Sequence, residues 1–171
     1  MVRAGVLTVS DKGSKGERED RSGEAIRRML ARLEAEIVRY AIVPDEIPAI
    51  RETLRKWADQ DRLDLIVTTG GTGFSPRDVT PEATAEVIER PTPGLSEAIR
   101  AEGWKKTPHA ILSRGAAGIR GRTLIVNLPG SQRAVEESLE VLLPALRHGI
   151  EILRGDAGEC GTPGKGEPNA R

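Results

Sequence analysis

Apolar positions along this chain follow two patterns, short continuous runs and residues repeated at steps of three and four. Short apolar runs that end in Gly, Pro or Asp indicate buried strands, and we predict four, at residues 6–9, 37–43, 63–69 and 123–128. The stepped repeats indicate amphipathic helices. Three such repeats are Ile26, Met29, Leu30 and Leu33; Ile47, Ile50, Leu54 and Trp57; and Val135, Leu139, Leu142, Leu146, Ile150 and Leu153.

This alternation of strands and helices predicts an α/β fold, with a mostly parallel sheet flanked by helices on both faces. Leu65, Ile66 and Val67 are consecutive apolar residues, which is typical of a strand covered on both sides. We expect a single three-layer domain over residues 1–154. Residues 155–171 contain Gly, Pro and charged residues without periodicity, so we expect a disordered tail there.

Turn and cap signals add local detail. Helix caps are expected at Asp20 or Ser22, at Thr80 directly before Pro81, and at Ser131. Residues 12–19 are mostly charged and contain two glycines, so we predict a loop, and a short helix is expected over residues 94–102. Pro144 lies inside the last apolar repeat, where it predicts a kink or two abutting helices.

Composition narrows the class of protein. Its 171 residues suit one domain, and an aromatic content of 2% requires an aliphatic core. The 26 basic residues only balance the 26 acidic ones, so we expect no nucleic-acid partner. No apolar run approaches a membrane span and residues 1–9 are already strand-like, so we expect a cytoplasmic protein without a signal peptide or membrane contact. A single Cys160 excludes a disulfide scaffold.

Unusual polar residues gather at the ends of the four predicted strands. In an open parallel sheet, ligands bind outside the carboxyl ends of the strands. We therefore predict a binding site at this edge of the sheet, formed by Ser10-Asp11, Pro44-Asp45-Glu46, the segment 69–73 and the segment 127–131.

The glycine-rich segment after the third strand has the composition of a phosphate cradle. Glycines let the backbone approach a ligand closely and direct several N–H groups at one anion. The segment consists of Thr69, Gly70, Gly71, Thr72 and Gly73, and it matches neither the Walker loop nor the dinucleotide fingerprint. A tight strand-to-helix turn without a ligand is an equally good interpretation of the glycines alone.

Asp45 and Asp78 lie beside this segment in the predicted fold. Two carboxylates near bound phosphates can hold Mg²⁺ during nucleotidyl transfer. The alternative for Asp45 is a turn or helix cap, and the alternatives for Asp78 are a helix cap or a pair with Arg77. Arg114, after Ser113, could bind a phosphate or pair with a surface acid.

The residues also resemble a known family. The fifteen-residue segment 69–83 is similar to the signature of the molybdopterin-binding domain, found in bacterial molybdopterin adenylyltransferases and in proteins such as gephyrin. The resemblance extends over residues 6–153. Six further segments match in order: Thr8-Val9-Ser10-Asp11, Asp20-Arg21-Ser22-Gly23, Val43-Pro44-Asp45-Glu46, Thr92-Pro93-Gly94, Leu112-Ser113-Arg114 and Asn127-Leu128-Pro129-Gly130.

The resemblance implies a reaction in which the terminal phosphate of molybdopterin attacks the α-phosphate of MgATP and releases pyrophosphate. It implies catalytic and metal-binding roles for Asp45 and Asp78. Nucleotide phosphates would contact Thr69, Gly70, Gly71, Thr72, Gly73, Pro129 and Gly130, and molybdopterin would contact Ser10, Asp11, Ser113 and Arg114.

The resemblance further implies a homotrimer, in some members a hexamer, and a molybdenum-inserting enzyme downstream. Gln132 stands where the family commonly has proline, so we expect a looser start to the last helix. Three alternatives remain: a paralogue that binds molybdopterin without adenylylating it, an interaction module, and a nucleotide-processing enzyme such as a pyrophosphatase. The absence of an appended domain argues against the interaction module.

Overall fold

The computed structural model describes residues 1–156, and these contain one six-stranded sheet with the strand order β2-β1-β3-β6-β5-β4. The strands are β1 (Val2–Val9), β2 (Ala35–Val43), β3 (Leu65–Thr69), β4 (Arg90–Pro91), β5 (Ala117–Arg120) and β6 (Thr123–Leu128). β2, β1, β3 and β6 are parallel, whereas β5 is antiparallel to both of its neighbours. The prediction of a mostly parallel sheet is confirmed. The predicted tail lies outside the described residues, except for Gly155 and Asp156.

The described part of the chain also contains six α-helices. They are α1 (Asp11–Ser14), α2 (Arg21–Leu30), α3 (Ile47–Arg55), α4 (Thr80–Ala85), α5 (Pro93–Trp104) and α6 (Gln132–Arg154). A π-helical turn extends α3 over Lys56–Gln60, and 3₁₀ turns occupy Ala31–Leu33 and Pro108–Leu112. The short helix predicted over residues 94–102 therefore begins one residue earlier and ends two residues later.

Helices cover both faces of the sheet. Neighbouring strand residues point to opposite sides, and here both sides carry apolar side chains that helices bury. Leu65 and Val67 pack with α2 and α6 in one apolar cluster, and Ile66 packs with α3 in another. Both clusters are aliphatic apart from Met29 and Trp57. The expected three layers and the aliphatic core are both confirmed.

Three local predictions need correction, and two short strands were not predicted. Residues 11–14 form the short helix α1, capped by the Ser10 side chain, where we predicted a loop. Val79, not Thr80, is the N-cap of α4, because the Thr80 hydroxyl donates to the Gly70 carbonyl (2.9 Å). The chain passes Pro144 as one continuous helix, so two abutting helices are wrong. The strands β4 and β5 were not predicted, because each is four residues or fewer and depends on pairing.

Two other cap predictions are confirmed. The Asp20 carboxylate accepts a hydrogen bond from the Gly23 N–H (2.9 Å) at the start of α2. The Ser131 hydroxyl accepts from the Ala134 N–H (3.2 Å), and α6 begins at Gln132 directly after this cap. The serine cap is thus intact, and the looser helix start that we expected from Gln132 stays a prediction.

A mostly buried ion pair joins the end of α6 to the residue before β3. The Arg154 guanidinium donates to both carboxylate oxygens of Asp64 (2.9 and 2.5 Å), and the two side chains are 19% and 14% exposed. Burial raises the pKa of Asp64. Hydrogen bonds from Arg154 and from the Arg3 N–H outweigh that effect, so the pKa lies below its ordinary value.

We expect Arg154→Met to lower the free energy of unfolding by about 3 kcal/mol at neutral pH, because it leaves a buried carboxylate without its partner. Since folding lowers the pKa of Asp64, the pair's contribution is present above the ordinary pKa of 3.8 and is lost as the pH falls through the folded-state value. Urea unfolding at pH 7 and pH 3 measures both effects. Arg133→Met removes an exposed pair and is the control. Equal losses in the two variants would contradict the prediction.

Candidate active site

A cleft of about 810 Å³ lies at the carboxyl ends of the parallel strands, where the strand-end argument predicted a site. Seven of the predicted site residues line it: Ser10, Asp45, Thr69, Gly70, Gly71, Asp78 and Gly130. Its opposite rim is formed by Arg18, Glu19, Asp20, Arg21 and Ser22. Six predicted site residues do not line the cleft, namely Asp11, Thr72, Gly73, Ser113, Arg114 and Pro129.

The glycine segment has a shape that only glycine permits. Gly70 and Gly71 have φ values of +93° and +65°, in the left-handed region. A Cβ at Gly70 would lie 2.3 Å from the Val9 carbonyl oxygen, and a Cβ at Gly71 would lie 2.3 Å from Thr80 Oγ1. Thr80 fixes the loop further, because its N–H donates to the Gly71 carbonyl (3.0 Å) and its hydroxyl donates to the Gly70 carbonyl.

This geometry leaves donors available to a ligand. Within residues 1–156, no hydrogen bond takes up the backbone N–H groups of Gly71, Thr72 and Gly73, which are consecutive. By contrast, the Thr69 hydroxyl already donates to the Pro129 carbonyl (2.6 Å) in the interior. The backbone N–H of Gly71 is therefore a better anion donor in the cleft than the Thr69 hydroxyl, whereas Thr72 and Gly73 do not line the cleft.

We expect Gly71→Ala to destabilise the protein more than Gly121→Ala does. Both glycines have positive φ, at +65° and +54°, so each alanine carries a backbone cost of about 1 kcal/mol. Only at Gly71 does the added Cβ also meet another residue, because nothing lies within 4 Å of it at Gly121. Thermal unfolding of the two variants isolates this clash, and equal losses would show that the loop can move aside.

Asp45 is joined to Asp11 by two reciprocal hydrogen bonds. The Asp11 N–H donates to Asp45 Oδ2 (2.8 Å), and the Asp45 N–H donates to Asp11 Oδ1 (3.0 Å). These bonds tie the end of β1 to the end of β2. Asp45 does not cap α3, since the N-cap is Glu46 and no side-chain cap bond forms there. The helix-cap alternative for Asp45 is therefore wrong.

The pKa values of these two carboxylates are shifted in opposite directions. Burial raises the pKa of Asp45, and the negative charges of Asp11 and Asp78 add to the rise. Hydrogen bonds from Arg77 hold the pKa of Asp11 below its ordinary value, and the Asp45 N–H lowers it further. A half-buried carboxylate in an acidic neighbourhood, such as Asp45, is stabilised by an added cation.

Asp78 has neither of the structural roles that we considered for it. Its Oδ2 accepts from the Ser75 N–H (2.9 Å) within a turn, so it does not cap α4. It does not pair with Arg77, because that guanidinium binds both carboxylate oxygens of Asp11 (2.8 and 3.0 Å). Asp78 therefore reaches the cleft as a carboxylate without an arginine partner in the described structure.

Arg114 holds the glycine segment through hydrogen bonds to its backbone carbonyls and is not among the residues that line the cleft. Its guanidinium donates to the carbonyls of Gly73 (2.8 Å) and Asp78 (2.6 Å) and pairs with the Glu82 carboxylate. This pair holds the pKa of Glu82 below its ordinary value. Arg114 therefore pairs with an acid, as one of the two alternatives predicted. A direct contact between Arg114 and molybdopterin stays a prediction.

Ser113 lines a second concavity of about 220 Å³, whose walls are mostly apolar. Ile99, Ala110, Pro129 and Val141 contribute to those walls. Pro129 lines this concavity and Gly130 lines the cleft, so the two spaces lie on either side of one short turn. The predicted molybdopterin residues are therefore divided, with Ser10 at the cleft and Ser113 at the concavity.

Sequence reasoning missed the residues that act through side-chain contacts. Arg77 was considered only as a partner of Asp78, and Asp20 only as a helix cap. The Asp20 carboxylate also accepts from the hydroxyls of Thr8 (2.6 Å) and Tyr40 (2.5 Å) at the cleft wall. The presence of Asp20 and Arg77 in the matching motifs was the only available signal for them.

A resident metal would need ligands beyond the protein. Among the described residues there is no group of three or more His, Cys, Asp or Glu side chains arranged to hold an ion. Two carboxylates, Asp45 and Asp78, line the cleft beside the glycine segment. This fits Mg²⁺, which usually takes one or two carboxylates and completes its shell with water and substrate phosphates.

Across residues 1–156, no helix is long and apolar enough to cross a membrane.

Known proteins share this sequence and this fold. A molybdopterin adenylyltransferase of Helicobacter pylori strain J99 is 44% identical over 157 residues, which are 91% of this chain and 89% of that protein. The molybdenum cofactor synthesis protein cinnamon of Drosophila melanogaster is 46% identical over 156 residues, and this chain covers 26% of its length. A solved structure of the molybdopterin biosynthesis enzyme MoaB from Thermus thermophilus is 56% identical, with a TM-score of 0.86 over 91% of this chain and 98% of that one.

The family model gives the same result for the domain as a whole. A model described as a probable molybdopterin binding domain matches residues 5–148, which contain the cleft, the glycine segment and both carboxylates. On this match and the relatives above, the chain belongs to the molybdopterin-binding domain family of molybdenum cofactor biosynthesis.

Proposed function

We infer that this chain is a molybdopterin adenylyltransferase. The terminal phosphate of molybdopterin forms a bond to the α-phosphorus of ATP, the bond to the β-phosphate oxygen breaks, and pyrophosphate leaves. One observation supports this most: Asp45 and Asp78 line the same cleft as Gly70 and Gly71, and within the described residues no hydrogen bond takes up the Gly71 N–H. The high identity to a named adenylyltransferase over nearly the whole of both chains supports the same enzyme class.

The cleft is the proposed nucleotide site. The N–H of Gly71, which lines the cleft, would donate to a phosphate oxygen and stabilise charge that grows during transfer. The N–H groups of Thr72 and Gly73 also have no hydrogen bond within residues 1–156, but neither residue lines the cleft, so their phosphate contacts stay a prediction. Gly130 packs against the glycine segment, and a Cβ there would be 3.4 Å from the Gly70 Cα, so this wall is close-packed backbone. α4 contributes little to the anion site, because it has only six residues.

Asp45 and Asp78 would hold the Mg²⁺ that accompanies ATP. When bound, this ion neutralises negative charge on the phosphates. The chain's part is to present two carboxylate oxygens at fixed positions. Asp45 Oδ2 and Asp78 Oδ2 are occupied by backbone N–H donors, so in each residue Oδ1 is the oxygen left for an ion.

The concavity at Ser113 is the proposed place for the pterin. Its walls are mostly apolar, which suits a flat heterocycle, and Ser113 adds a hydroxyl. Since Pro129 and Gly130 separate it from the cleft, a substrate bound there could extend its phosphate over this turn toward ATP. Arg114 would act indirectly, by holding the carbonyls of Gly73 and Asp78.

The proposal also covers the assembly of subunits and the transfer of the product to the next enzyme. Trp104, Ile111 and Leu112 are 54%, 55% and 44% exposed, and large apolar side chains of this kind are commonly covered by a neighbouring subunit. This supports an interface between subunits, and we propose a homotrimer, which sedimentation analysis would detect. The adenylylated product would pass to a molybdenum-inserting enzyme in the same cellular compartment, which we expect to be the cytoplasm.

A single incubation tests the reaction. The protein is mixed with ATP, Mg²⁺ and molybdopterin, and both pyrophosphate and adenylylated pterin are measured over time. Equal amounts of the two products, dependent on Mg²⁺ and on the pterin, are expected. Pterin binding without either product would identify the non-adenylylating paralogue, and pyrophosphate without adenylylated pterin would identify a nucleotide hydrolase.

A further inference from the structure

Arg77 makes a contact that the proposed reaction does not require. Its Nε and Nη2 donate to the two carboxylate oxygens of Asp11 (3.0 and 2.8 Å), a bidentate geometry that fixes the orientation of both groups. The side chains are 57% and 36% exposed, so the pair contributes little to the stability of the fold. A contact with good geometry and a small effect on stability suggests a role in positioning.

The bond network passes from Asp11 to Asp45. Asp11 Oδ1 accepts from Arg77 and also from the Asp45 N–H, while the Asp11 N–H donates to Asp45 Oδ2. Rotation of the Asp11 side chain would therefore break bonds to both residues. The Asp11 carboxylate that Arg77 holds thus fixes the Asp45 backbone, while the Asp11 backbone N–H holds Asp45 Oδ2. Asp45 Oδ1 then faces the glycine segment, 3.1 Å from where a Cβ of Gly71 would lie.

We propose that Arg77 is a positioning residue, which clamps Asp11 so that Asp45 presents Oδ1 to the metal-bound nucleotide in the cleft. This inference rests on the proposed function for the identity of the ligand. It also gives Asp11 a role within the protein, as the connection between Arg77 and Asp45. The competing explanation is that Arg77 leaves Asp11 and binds phosphate directly.

Amide exchange in the free protein tests the clamp without any ligand. In Arg77→Gln, the Asp45 N–H should exchange with solvent about tenfold faster, since its acceptor Asp11 is no longer held. Arg77→Lys keeps the charge but cannot bridge both oxygens, so its exchange rate should lie between the two. Arg39→Gln is the matched control, because Arg39 makes a bidentate pair with Asp61 (3.0 and 2.8 Å) on residues that do not line the cleft.

A double-mutant cycle tests the connection through Asp11. MgATP affinity, measured by calorimetry without pterin, should fall about tenfold in Arg77→Gln but change little when Arg77→Gln is added to Asp11→Asn. Residues that act through one another give such non-additive losses. Arg39→Gln should bind MgATP as the wild type does.

The outcomes separate the alternatives. Unchanged exchange at Asp45 in Arg77→Gln would overturn the clamp. A full further loss of MgATP affinity in the Asp11→Asn background would also overturn it and would identify Arg77 as a direct phosphate contact. If the wild type does not bind MgATP, the proposed function and the nucleotide role of the clamp both fail, while the exchange data still show whether Arg77 holds Asp11 and Asp45.

Discussion

Replacing Asp45 by alanine is expected to lower turnover by about 10²–10³, the loss that follows removal of one preorganised electrostatic contact. Asp45 presents a half-buried carboxylate to the cleft, and its pKa is raised by burial and by neighbouring negative charge. Its contribution is expected toward the metal-bound nucleotide, in binding and more strongly in the transition state, where negative charge builds up on the leaving pyrophosphate, and not toward the pterin. Molybdopterin affinity should therefore stay within a few-fold of the wild type.

Single-turnover kinetics with ATP, beside a molybdopterin titration, measure both quantities for Asp45→Ala. Asp45→Asn is the companion variant, since its amide oxygen can still accept from the Asp11 N–H while the charge is gone. The alanine variant should also lose about 1 kcal/mol of stability through that unpaired N–H. Asp59→Ala removes a carboxylate paired with Arg120 away from the cleft and is the control. Lost pterin binding, or unchanged turnover, would count against the role.

Asp78→Asn is expected to abolish most adenylyl transfer while leaving the fold intact. Asparagine keeps an oxygen for the Ser75 N–H, so the turn that follows the glycine segment should persist. What is lost is one of the two carboxylate charges beside the glycine segment, and metal binding depends on that charge. Turnover should fall by about two orders of magnitude, as for other electrostatic contacts in active sites.

Turnover of Asp78→Asn as a function of Mg²⁺ concentration provides the measurement. A metal ligand predicts a higher Mg²⁺ requirement together with a lower maximal rate. Asp78→Ala, which loses both the charge and the turn acceptor, separates the two contributions, and thermal unfolding shows whether the turn has changed. Near-wild-type turnover of Asp78→Asn at saturating Mg²⁺ would exclude Asp78 as a metal ligand.

The sequence by itself determined the elements that form over one stretch of chain. Apolar periodicity depends on local geometry, so it predicted the four parallel strands and the helices around Ile26, Ile50 and Leu139. It also predicted where the strands end, and hence the edge of the sheet at which the cleft lies. The motif around residues 69–83 predicted the family, which the family model and the relatives confirm.

Only the tertiary structure decided which partner each polar side chain takes. Arg77 bonds to Asp11, 66 residues away, and not to the adjacent Asp78. Thr80 bonds to Gly70 across the loop and does not cap its own helix. β5 exists because it pairs with β6, and its Ala117-Gly118 start carries almost no strand signal of its own. Periodicity indicates which face of a helix or strand is buried. These contacts depend instead on where elements distant in the sequence meet, and a single sequence does not specify those meeting points.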